Sequence, residues 1–235
     1  MSKKKIAKFI VLGLILVALI IVGIRSVQNR RLFDAIEAND YDKAYSAIKA
    51  GADVNCHYRA FVLFPALVGR NPTPLIEACH SDSEIISLLL ENGADVNLCD
   101  NLTKDSPLYV SVGSRNFDIA YRLIDQGANV NAQSIYYSIL SLCCGENTDP
   151  ESENHKMFRY LLNLNVSLET PDGNILHDAV IFQDAYVVEY ILNHNLVDPT
   201  EKNRWGKTAL EIAEECGYDQ IAELLRQKAG DGSLS

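Results

Sequence analysis

A five-residue string constrains this chain more than any other feature. Gly51-Ala52-Asp53-Val54-Asn55 returns as Gly93-Ala94-Asp95-Val96-Asn97 and again as Gly127-Ala128-Asn129-Val130-Asn131. Weaker copies stand at Asn165-Val166-Ser167-Leu168-Glu169 and around Asn195, and a degenerate one near Lys228. Successive copies start 42, 34, 38, 30 and 33 residues apart. A period of about 35 residues marks stacked small units and not a globule around one central core.

Each string follows a segment with apolar residues eight, seven, four and three positions upstream. These are Ile85, Ile86, Leu89 and Leu90, then Ile119, Ala120, Leu123 and Ile124. Met157, Phe158, Leu161 and Leu162 follow, then Val187, Val188, Ile191 and Leu192. That spacing predicts a helix, ended by a Gly in the left-handed conformation. Asn165 and Asn195 replace the Gly later on, and Asn is the other residue that tolerates that conformation. Thr73-Pro74-Leu75, Ser106-Pro107-Leu108 and Thr208-Ala209-Leu210 each open a shorter helix: the hydroxyl caps it, and Pro suits a first position whose N–H has no partner.

These units resemble the ankyrin repeat. TPLIEAC with GADVN, SPLYVSV with GANVN, GNILHDAV, and GKTALEIAEECG with IAELL carry the likeness over residues 32–229, some six repeats. The resemblance implies an all-α solenoid of helix-turn-helix repeats with its turns along one edge. It further implies protein recognition through those turns and the concave helix face, with no catalysis and no cofactor. His177 matches the family's helix-opening His, which hydrogen-bonds near the turn. Repeat one (Leu32 to Asn55) lacks the TPL opening and carries Lys43 at an apolar register, as a solvent-facing end unit should. Repeat four (Ser138 to Glu169) has Ile139 in place of Pro and an acidic insert, Gly145 to Asn154.

Ahead of the array, Phe9 to Ile24 has no polar side chain, and residues 6–24 approach the length needed to cross a bilayer core of ~30 Å. No small-x-small cleavage site follows, so the segment reads as an uncleaved transmembrane helix and not as a signal peptide. Residues 1–31 hold seven bases and no acid; the remaining residues hold 14 bases against 31 acids. So acidic an array repels nucleic acid, whose binding rests on cationic contacts to phosphate. Four lysines before the span and three arginines after it lean towards a cytoplasmic N-terminus and an extracytoplasmic array. The expected organisation is 1–31 (basic N-terminus, span and short linker), 32–229 (array) and 230–235 (flexible tail).

Two groups stand out as partner-binding candidates. The turn from Asn55 to Thr73 is enlarged, with an apolar centre flanked by Arg59; Arg59, Phe61, Leu63 and Phe64 are candidates. Tyr136 and Tyr137, after Ile135, are the second group, because Tyr is favoured at interfaces. Packing of the enlarged turn on its own flank, or contact with the membrane, is the alternative for the first. A half-buried turn role is the alternative for the second. The acidic insert lacks the alternating ligands and central Gly of a calcium loop. Six cysteines (Cys56, Cys79, Cys99, Cys143, Cys144, Cys216) include no CxxC, and the five histidines form no HExxH. Metal, cofactor, catalytic and small-molecule roles are therefore not expected. The sequence points to a membrane-anchored protein-binding module. Two alternatives remain, an inhibitor or immunity-type protein that blocks one enzyme or toxin, and a scaffold of a membrane complex.

Overall fold

The computed structural model describes residues 3–58, 70–80, 83–132, 134–146 and 149–230. They form two compact units divided between Leu102 and Thr103. The first holds α1 (Lys3–Glu37), α2 (Tyr41–Lys49), α3 (Pro74–Ala78) and α4 (Ser83–Glu91). The second holds α5 (Pro107–Gly113), α6 (Phe117–Asp125), α7 (Glu153–Asn163), α8 (Ile175–Ile181), α9 (Ala185–Asn193), α10 (Ala209–Cys216) and α11 (Asp219–Gly230).

The caps and stops fall where the repeat pattern puts them. Thr73, Ser106 and Thr208 accept the amides of Ile76, Tyr109 and Glu211 at 3.1–3.2 Å. Gly51, Gly93 and Gly127 have φ of 96°, 84° and 86°, and Asn165 and Asn195 take the same left-handed region at 55° and 48°. Most of the predicted apolar registers are buried, with Ile86, Leu89, Leu123, Phe158 and Ile191 fully so, while Leu90, Ile124 and Leu162 are half-buried. Each helix pair thus hides one face against its neighbour in the same unit.

Three features differ from the sequence-based expectation. First, residues 25–31, expected as a short linker, are not a separate segment. They are part of α1, an unbroken helix that carries the apolar run and then buries Leu32, Phe33, Ala35 and Ile36 in repeat one. Second, repeat four has only a 3₁₀ turn, Ser141–Cys143, in place of its first helix. Ser138 still accepts the Ser141 amide at 3.2 Å, as a cap should. Cys144 then turns extended, and the Gly145 N–H donates to the Asp184 carboxylate at 3.0 Å instead of continuing the helix. Third, the all-α expectation misses a two-residue antiparallel ladder, β1 (Glu169–Thr170) with β2 (Gly173–Asn174).

Gly173 sits there because of crowding. A Cβ on it would lie 2.9 Å from His177 Nδ1 and 3.2 Å from the Asn203 Cα. His177 is buried and fixed: its Nδ1 meets Asn174, and its Nε2 meets the Glu201 carbonyl at 3.2 Å. Asn174 and His177 cap α8 reciprocally.

Turns within a unit are tied by one recurring bond. The Asp95 amide donates to Asn55 Oδ1 at 2.8 Å, and the Ser167 amide to Asn131 Oδ1 at 2.7 Å. In each case the acceptor is the last residue of the preceding string. The first turn has no preceding string, yet the Asp53 amide donates to Asn29 Oδ1 at 2.7 Å. Arg25 adds an ion pair to the Asp53 carboxylate at 2.7 Å. Residues of α1 just past the apolar run thus fill the place of a missing earlier turn.

Candidate functional site

The strongest candidate surface lies in the second unit, around Tyr137. Ser134 donates to Asp105 Oδ1 at 2.7 Å, the Tyr136 amide donates to Ser134 Oγ at 3.3 Å, and the Ile135 amide to the Thr103 carbonyl at 3.3 Å. With the backbone pinned from inside, the side chains of Ile135 and Tyr136 are turned out, each 56% exposed. Tyr137 stands edge-on to Phe182, with ring centroids 5.4 Å apart. Beneath them, burial pushes the Tyr109 phenol above its ordinary pKa.

Tyr137 is the ridge between two clefts. One, of about 520 Å³, is walled by Val130, Ile135, Ile139, Val166 and Pro171, with Lys104 and Glu169 at its rim. The other, of about 450 Å³, is walled by Arg115, Leu142, Ile181 and Phe182. Arg115 donates to the Leu142 carbonyl at 2.9 Å, which holds its guanidinium against the cleft wall. Exposed aromatic and aliphatic side chains beside a fixed arginine have the composition of an interface centre. Trp205 is a further exposed aromatic of this unit, with the Arg204 guanidinium 4.3 Å above its ring. Arg204 is in turn paired to Asp172 at 2.9 Å.

A buried polar network supports the second cleft. The side chains of His155 and Asp184 are wholly buried and meet at 3.0 Å. The other ring nitrogen of His155 lies 2.6 Å from the Asp149 carbonyl, so this pair fastens the acidic insert to the cap of α9. Asp178 is also buried. Desolvation raises its carboxyl pKa, opposed by donation from Ser141 and Thr170. Among the described residues no group of His, Cys, Asp and Glu has the arrangement to hold a metal ion.

Of the sequence candidates, Tyr136 and Tyr137 are at this surface. Arg59, Phe61, Leu63 and Phe64 lie outside the described residues. The ends of their loop are pinned: the Tyr58 amide donates to the Pro72 carbonyl at 2.8 Å and the Asn71 amide to Asp100 at 2.6 Å. Sequence reasoning passed over Ile181, Phe182, Arg115 and Trp205. Ile181 had a legible signal, because it stands at the register of Gly113 in α5 and Glu215 in α10, where a surface residue belongs. Cys56 and Cys99 are not joined in a disulfide; burial lifts Cys56 to about 11, and Cys79 and Cys143 to about 12. Cys216 is exposed.

A model of ankyrin repeats, in three copies, matches residues 32–134 and 150–233. Among curated relatives, YahD of Escherichia coli (strain K12), named for ankyrin repeats, is 24% identical over 81% of this chain and 92% of its own length. Fowlpox virus protein FPV031, also named for ankyrin repeats, is 26% identical over 84% of this chain but only 47% of its own length. Among solved structures, a chain in the complex of the Bd0816 predatory endopeptidase from Bdellovibrio bacteriovorus with immunity protein Bd3460 shares the fold. It has a TM-score of 0.67 and 23% identity, covering 84% of this chain and 97% of that one. The family model spans most of the sequence and falls on the helix pairs and turns described above, so the chain belongs to the ankyrin-repeat family.

Proposed function

We propose that this protein is a membrane-anchored protein-binding module that captures its partner on the Tyr137 surface. The carrying observation is the ridge of Tyr137 between two clefts, with Ile135 and Tyr136 turned out beside it. Ankyrin repeats imply protein–protein interaction, and large exposed apolar groups held on a rigid support are what such contacts use. Arg59, Phe61, Leu63 and Phe64 are proposed as a second contact on the strength of their sequence alone. The test is a photo-crosslinking residue placed at Tyr136 in the full chain, in cells, with Glu223 on α11 as the control position. A discrete protein adduct from Tyr136 alone is expected. Equal or absent adducts at both positions would overturn the surface. Deleting 60–68 separately reports on the second contact.

The anchor reading is supported by the length and apolarity of α1, whose described apolar residues from Ile10 to Ile24 are all exposed. A signal sequence has the same length and composition, but cleavage beyond Arg25 would remove side chains that α1 supplies to the first turn. We place the array on the extracytoplasmic side. A membrane-impermeant maleimide offered to exposed Cys216 in intact cells tests this: labelling before lysis is expected, and protection until lysis puts the array in the cytoplasm.

A second reading, an immunity-type inhibitor, is favoured by the shared fold with a chain of the endopeptidase–immunity complex. If the Tyr136 adduct is a single enzyme whose activity falls in stoichiometric titration, that reading holds. Several adducts without inhibition favour a membrane scaffold.

A further inference from the structure

The turn that ends the first helix of a repeat is built alike at four places. The amides of Asn39, Arg115, Gln183 and Gly217 donate three residues back, to Ile36, Val112, Val180 and Glu214, at 3.0–3.2 Å. All four residues have positive φ, between 49° and 73°. Asn and Gly adopt that conformation at least cost, and the first and last repeats use them. The inner turns carry Arg115 and Gln183, which tolerate it less well. Both line one cleft, the one of about 450 Å³ beside Tyr137. Backbone strain kept at two positions that border the same cleft points to a role for their side chains there.

Arg115 supplies the cation of that cleft. One terminal nitrogen donates to the Leu142 carbonyl at 2.9 Å, and the other lies 4.0 Å from the place a Cβ would take on Gly145. Among the described residues Arg115 forms no ion pair, although the exposed Glu146 lines the same cleft. Beside it the wall is apolar: Ile181 is 42% exposed, and Phe182 stands against the Tyr137 ring. A guanidinium held in place with N–H donors still to offer is matched by a carboxylate, which accepts two parallel bonds from it. The surrounding charge limits what carries that carboxylate. Beyond residue 31 the chain has 14 bases against 31 acids, so a strongly acidic protein is repelled within the ~8 Å reach of unscreened charge. A neutral or basic protein that shows one carboxylate is not.

We infer that this cleft takes an aspartate or glutamate side chain of the partner protein, presented next to an apolar side chain that lies against Ile181 and Phe182; this rests on the Tyr137 surface as the docking site. The carboxylate meets Arg115 alone. Gln183 is left to hydrogen-bond the backbone of the same segment, and Glu146 opposes the contact as a like charge in the cleft.

The test adds substitutions to the photo-crosslinking at Tyr136 in the full chain, in cells. Arg115→Gln removes the charge but keeps an N–H for the Leu142 carbonyl, and Arg115→Lys keeps the charge. The adduct should fall about ten-fold in Arg115→Gln, the effect of losing a hydrogen bond to a charged group. Arg115→Lys should recover part of that loss, and Glu146→Gln should raise the yield. Sequencing the adduct identifies the partner segment. Arg115→Glu should lose the adduct, and changing the acid of that segment to arginine should restore it. Urea midpoints of the variants report on folding. An unchanged yield in Arg115→Gln, equal losses in Arg115→Gln and Arg115→Lys, or a partner segment without Asp or Glu overturns the carboxylate contact and leaves the Tyr137 surface standing. Absence of any adduct from Tyr136 without these substitutions overturns both.

Discussion

At the scale of single residues, the tightest constraint is at Gly173. The atoms a Cβ would meet are the Asn203 backbone and a His177 ring that is hydrogen-bonded at both nitrogens, so neither can yield easily. Gly173→Ala should therefore destabilise the second unit by about 1–3 kcal/mol, as overpacking does, read as a lower urea midpoint at unchanged slope. His155→Ala acts by a different route. It leaves the fully buried Asp184 without its ring partner and cuts the tie from α7 to the Asp149 carbonyl, which keeps the Ser152 amide, so a loss of roughly 3–5 kcal/mol is expected. A loss under 1 kcal/mol would show that the Gly145 and Val187 amides suffice for Asp184. Neither residue was legible beforehand. Gly173 lies one residue before a cap, where small residues are common, and its reason is Asn203, thirty residues on. His155 was one of five scattered histidines, and only the fold brings Asp184 to it. Cap residues were legible because their partner is three residues away.

At the scale of elements, the helices follow the repeat wherever caps and stops are local. Thr208 and Glu211 show this in α10: the Thr208 side chain accepts the Glu211 amide and the Glu211 carboxylate accepts the Thr208 amide at 2.8 Å. That backbone bond is the largest cause lowering the Glu211 pKa, with Lys202 and Lys207 adding to it. A depressed folded pKa means stability present above the unfolded pKa and lost as pH falls through the folded one. Glu211→Gln should flatten the acid limb of the stability profile below about pH 4.5 while keeping a neutral capping bond; an unchanged acid limb counts against the assignment. The 3₁₀ turn at Ser141 shows why an element can fail despite its cap. Ser138 and the buried Cys143 keep the repeat's register, but the insert takes the chain away at Cys144 towards Asp184. The insert was legible as an interruption. Its destination was not, because it depends on a residue in the following repeat.

At the scale of the whole molecule, the question is where the array begins. The sequence separates an apolar segment, seven residues of which all but Val27 are polar, and a repeat that starts at Leu32, because polarity changes there. Hydrogen bonds draw the boundary elsewhere. Asn29 gives the first turn the acceptor that Asn55 gives the second, and Arg25 pairs with the same aspartate. A repeat array draws its stability from neighbour contacts, so removing a surrogate neighbour weakens the end unit and little else. A chain beginning at residue 25 should keep repeat one as stable as in the full protein. A chain beginning at residue 32 loses one amide-to-side-chain bond of about 0.5–1.5 kcal/mol, with little more from the exposed ion pair. It also loses the first turns of the helix that buries Leu32 and Phe33. Hydrogen exchange over residues 41–55 should accelerate at least several-fold in that chain, while residues 175–192 of the second unit exchange as before. Equal exchange in the two chains would mean that residues 25–31 serve the membrane segment only and that the array starts at Leu32. A protein processed after Ile24 in the cell would behave like the chain from 25, so intact-mass measurement of the mature product separates a retained anchor from a removed leader without altering this stability argument.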